Sequence, residues 1–86
     1  MKYELISYDV WGNDDDGYEV NQSYYTGQTV ILDPDLYDDQ ITDLLIVQGL
    51  IYEASRERIT YDGEFEYSLY ARCNDTGKPL FELRRS

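Results

Sequence analysis

Only one stretch of this chain repeats its apolar residues at a helical period, and it is fenced on both sides. In "DPDLYDDQITDLLIVQGLI" Pro34 opens the segment, Asp35 stands in N-cap position, and Gly49 is placed as the left-handed residue that ends a helix. The span predicted is 36–48. Leu50 is placed to meet Leu45 in a Schellman ending, and Tyr37, Ile41, Leu44, Leu45 and Gln48 share one face at the 3.6-residue period. One helix, with strand-like sequence before and after it, confines the fold to a sheet with that helix lying across it.

The flanks read as strands. Residues 2–11 are rich in β-branched and aromatic side chains and stop at Gly12; residues 18–25 and 28–32 form a second strand broken by Gly27, where a bulge or bend is expected. Residues 12–17 then make a six-residue hairpin loop. After a connector, residues 58–73 split into two strands at Asp62-Gly63, a favoured hairpin dipeptide. Phe65, Tyr67, Leu69, Ala71 and Cys73 alternate with polar residues and are assigned to the buried side, with Tyr37 and Tyr67 among the core tyrosines. "PLFELRR", with Pro79 at its start, is read as a closing edge strand. The expected architecture is α+β in the order ββαβββ: an antiparallel sheet of four to five strands with one helix packed on one face, as a single domain over residues 1–86.

Eighty-six residues bury roughly 60–65% of the surface that the unfolded chain exposes, a small but sufficient core. The longest uninterrupted apolar run, Leu44 to Val47, is too short to span a bilayer, and the lone Cys73 allows no internal disulfide. A soluble, cytoplasmic protein is expected. With no histidine, no phosphate-cradling glycine loop and no nucleophile elbow, neither catalysis nor a cofactor is expected, and Cys73 is read as a buried structural thiol.

The charge is the residual puzzle. A net −11 works against compaction and against direct binding to nucleic acid or an anionic membrane, so a charged partner should be basic. Residues 1–43 hold eleven acids and one base; residues 44–86 hold seven acids and six bases. "GNDDDGYE" (residues 12–19) is tested as a calcium loop. With Gly17 at the sixth position, Asp14 and Asp16 fall correctly, but Gly12 and Ser23 take the two end positions, which need oxygen ligands. The loop is not a metal site by that measure.

On the helix, Asp35, Asp39 and Asp43 are spaced by four, and Ile46 falls in the same stripe. Asp35, Asp38 and Asp39 are also what a helix start favours through capping and the dipole; Asp43 is beyond that reach. The partner-binding set is therefore Asp14, Asp15, Asp16 and Glu19 from the hairpin, Asp35, Asp38, Asp39 and Asp43 from the helix, and Ile46 as an apolar anchor. Ten tyrosines, a residue enriched at interfaces, agree with a binding role.

The opening "YDVWGNDDDGYEVN", Tyr8 to Asn21, resembles the starts of short acidic proteins of bacteriophages and mobile elements. That resemblance implies a class that acts by binding, including anti-CRISPR and anti-restriction inhibitors that imitate the phosphate pattern of DNA. The implied partner is a basic site on a host nuclease or defence complex. The alternative is a generic interaction module, or a homodimer joined through an exposed strand edge, with the acids serving solubility.

Overall fold

The computed structural model describes residues 1–52 and 58–86. The fold has five strands, β1 (Lys2–Asn13), β2 (Gly17–Ile31), β3 (Ile59–Glu64), β4 (Ser68–Cys73) and β5 (Pro79–Arg85), and one helix, α1 (Asp38–Val47), which follows the second strand. The order along the chain is ββαβββ, and the strands form one antiparallel sheet with spatial order β2-β1-β5-β4-β3. The connector expected between helix and third strand lies largely outside the described residues.

Alternation along the strands decides which side the helix covers. Tyr3 and Leu5 of β1, Leu69 and Ala71 of β4, and Phe81 and Leu83 of β5 point to one face, where Ile41 and Leu45 of α1 complete the core with Val30, Leu32 and Ile59. Truncating a side chain such as Leu45, fully buried there, costs about 2–5 kcal/mol. The buried tyrosine is Tyr3, whose hydroxyl donates to the Phe65 carbonyl. Neither expected core tyrosine is buried: Tyr37 is 75% exposed and Tyr67 is 68% exposed.

The first departure from expectation is the helix start. Asp35 is not the N-cap; it has φ 69, outside the helix, and Tyr37 takes the cap position with its N–H donating to Gln40 Oε1 at 2.9 Å. Starting at Asp38 puts Ile41, Thr42 and Leu45 inward, while Leu44 and Gln48 of the expected face are exposed. The helix end is as expected. Leu50 N–H bonds Leu45 O, Gly49 N–H bonds Ile46 O, both at 2.9 Å, and Gly49 has φ +75, which is the Schellman pattern.

Both hairpins turn elsewhere than the loop signals imply, the first over fewer residues and the second later along the chain. Asn13 pairs with Gly17, leaving only Asp14–Asp16 in the first turn. In the second, Asp62 and Gly63 lie inside β3, opposite Tyr70 and Leu69, and the turn is made by residues 65–67. Tyr67 is exposed because it belongs to that turn. The Gly27 bulge is present: the pairing jumps from Glu4–Thr29 to Ile6–Tyr25. Cys73 is half-buried rather than buried.

The last strand is not an edge. β5 lies between β1 and β4, and Pro79, which lacks an N–H, sits at its first position, where little of the ladder depends on it. Its charges suit an edge by sequence, but Glu82 and Arg84 neutralise each other on one face, with Nε to Oε2 at 2.7 Å.

Candidate functional site

Among the described residues, no helix covers the face opposite α1. One row of side chains crosses all five strands there: Tyr25, Ile6, Glu82, Tyr70 and Asp62, each opposite the next. Glu82, at its centre, is only 5% exposed. A carboxylate so placed needs partners, and it has four contacts: Tyr8 Oη at 2.9 Å, Ser68 Oγ at 3.2 Å, and Arg84 through Nε at 2.7 Å and Nη2 at 3.4 Å. Burial pushes the Glu82 carboxyl up, but hydrogen bonds from Arg84, Tyr8 and Ser68 outweigh it, and the group ends below its ordinary value. Tyr8 moves the other way; burial and the bond to Glu82 hold its hydroxyl protonated well above the usual range.

Arg84 is spent on this face. Besides Glu82, its Nη1 donates to Tyr25 Oη at 2.9 Å, and the guanidinium lies 5.6 Å from the Tyr25 ring centre. Arg72 is likewise engaged, with Asp62 at 2.5 Å. Beside the network, a groove of about 370 Å³ is lined by Tyr8, Val20, Tyr70, Arg72, Gly77 and Pro79. Its far wall is the β1–β2 ribbon, which reaches the β4–β5 turn: Lys78 Nζ sits 5.9 Å from the Tyr18 ring centre. A straight strand of β2's length would measure about 50 Å, yet the molecule's longest dimension is 36 Å, so the ribbon bends.

That bend decides where the candidate acids lie. Asp14, Asp15 and Asp16 form the exposed ribbon tip and Glu19 follows on β2, all at the groove end of the sheet. Asn13 Oδ1 accepts the amides of Asp15 and Asp16 at 3.0 and 2.8 Å, so an amide side chain holds the backbone of the turn. Asp14 accepts the Tyr18 hydroxyl, and Asp16 accepts Asn13 Nδ2 at 3.3 Å.

The helix acids belong to the opposite layer. Asp38 Oδ2 accepts the Tyr61 N–H at 3.4 Å, Asp39 and Asp43 are exposed on α1, and Ile46 is half-buried. Asp35, outside the helix, does not continue their ladder. The hairpin acids thus share the ribbon tip and Asp38, Asp39 and Asp43 share α1, while the two groups lie on different layers and Asp35 joins neither. Among the described residues, no group of three or more potential metal ligands converges, and no helix is long and apolar enough to cross a membrane.

Sequence reading missed the Glu82 network. Its signal was the acid–base pair two apart in "FELR", which in a strand lands on one face. Compared with family models, curated proteins and solved structures, the chain matches none.

Proposed function

We infer that this chain is a non-catalytic binding protein that docks on the basic, nucleic-acid-binding surface of another protein and occupies it as a carboxylate mimic of phosphate. Asp14, Asp15, Asp16 and Glu19 lead the contact. The observation that supports this is their lack of compensation: among the described residues no lysine or arginine pairs with any of the four, while Arg72 and Arg84 are engaged by Asp62 and Glu82. A projecting, uncompensated array offers a cationic channel the same counterion-releasing contacts that phosphates do. The helix acids, on the other layer, form a separate flank.

The test is capture on two columns, one with the wild-type chain and one with Asp14, Asp15 and Asp16 all changed to Asn. The wild type is expected to retain basic proteins that elute at moderate salt and are displaced by duplex DNA, and the variant to lose them. Equal retention on both columns would overturn the reading.

A further inference from the structure

The two sheet edges are treated differently. The β3 edge is short, carries Asp62 and Glu64, and has the Tyr61 N–H taken by Asp38. Those are the usual devices against strand addition. The β2 edge has fifteen residues and, among the described residues, β1 as its single neighbour. In a chain with 25 charged side chains, the thirteen residues from Val20 to Leu32 carry none. Tyr24 and Tyr25 stand on opposite faces of this edge, both exposed, and Ile31 is 71% exposed. The bulges near Asn21 and Gly27 leave a regular stretch, Gln22–Tyr25, between them.

Charge lies at both ends of this uncharged run: Asp14–Asp16 and Glu19 before it, Asp33 and Asp35 after it. That arrangement discriminates between occupants. Antiparallel self-pairing centred on Gln22–Tyr25 would set Asp14 of one copy opposite Asp33 of the other, twice over, with like charges face to face. A strand with cations at its ends has the complementary pattern.

We propose that the β2 edge takes up an extended segment of a basic partner protein, backbone to backbone along Gln22–Tyr25, with lysines or arginines flanking that segment meeting the acids at either end. Backbone hydrogen bonds supply the binding and the flanking charges set its position. The proposal rests on the acidic docking inferred above and adds the mode of recognition.

The probe is a synthetic peptide of about sixteen residues, long enough to reach from Asp16 to Asp33 along the bulged strand, with a Thr/Val/Tyr centre between paired lysines at each end, titrated calorimetrically alongside two relatives. One relative is N-methylated at alternate central amides; the other has aspartates in place of the lysines. The parent is expected to bind and to slow amide exchange in β2. N-methylation should weaken it about tenfold or more, equivalent to about 1.4 kcal/mol, and the aspartate peptide should not bind. Equal affinity of the N-methylated peptide overturns the edge proposal and leaves the acidic docking standing. Equal affinity of the aspartate peptide overturns the charge complementarity, and with it the docking. No binding by any peptide overturns both, and a doubled mass for the chain alone would give the edge to a second copy.

Discussion

Gly63 has φ +114, and a Cβ there would lie 2.2 Å from the Ser68 carbonyl oxygen; Gly12, at +117, meets Gly17 O at 2.1 Å. Each glycine closes a hairpin by letting the partner backbone come nearer than any side chain permits. Gly17 also has positive φ, +86, but open space around it. Gly63→Ala is therefore expected to cost on the order of 3 kcal/mol, from strain plus backbone displacement, and Gly17→Ala only about 1 kcal/mol. Urea unfolding of both variants checks this, and similar midpoints would show that the β3–β4 turn relaxes freely. The same residue explains an expectation that failed. "DG" is read as a tight turn, but here the glycine is used for close approach one step inside the strand, a distinction that depends on the Ser68 carbonyl of the neighbouring strand and is not local to the dipeptide.

At the scale of elements, what was legible followed from local chemistry. The helix stop at Gly49, the Gly27 bulge and the ββαβββ order all rest on neighbours in sequence. What was not legible depended on pairing: β5 resembles an edge strand until β1 closes against it and Tyr8, Ser68 and Arg84 enclose Glu82. That network has a pH signature. The folded pKa of Glu82 is depressed from its ordinary 4.5, so its contribution is present above that value and is lost as pH falls through the folded pKa. Comparison with Glu82→Gln isolates that contribution from the rest of the protein. Wild type should be more stable at neutral pH, with the gap in thermal midpoint narrowing below about pH 4.5. A constant gap would mean that Glu82 contributes by shape and not by charge.

For the whole molecule, net −11 on a body whose longest dimension is 36 Å is a cost in stability, and its distribution shows where that cost is tolerated. The hairpin tip concentrates three adjacent carboxylates on a turn whose backbone amides, those of Asp15 and Asp16, are already accepted by Asn13 Oδ1. Changing Asp14, Asp15 and Asp16 together to Asn should therefore stabilise the protein. Like-charge contacts of about 0.2–0.5 kcal/mol each imply a gain of about 0.5–1 kcal/mol, or roughly 2–8 °C in thermal midpoint for a domain of this size. Added salt should raise the wild-type midpoint more than the variant's, because screening does for one what substitution has done for the other. If the variant melts lower instead, the bonds that Asp14 takes from Tyr18 and Asp16 from Asn13 hold the tip, and the acids are structural. If it melts higher while losing its basic partners, stability has been given up at this tip for binding.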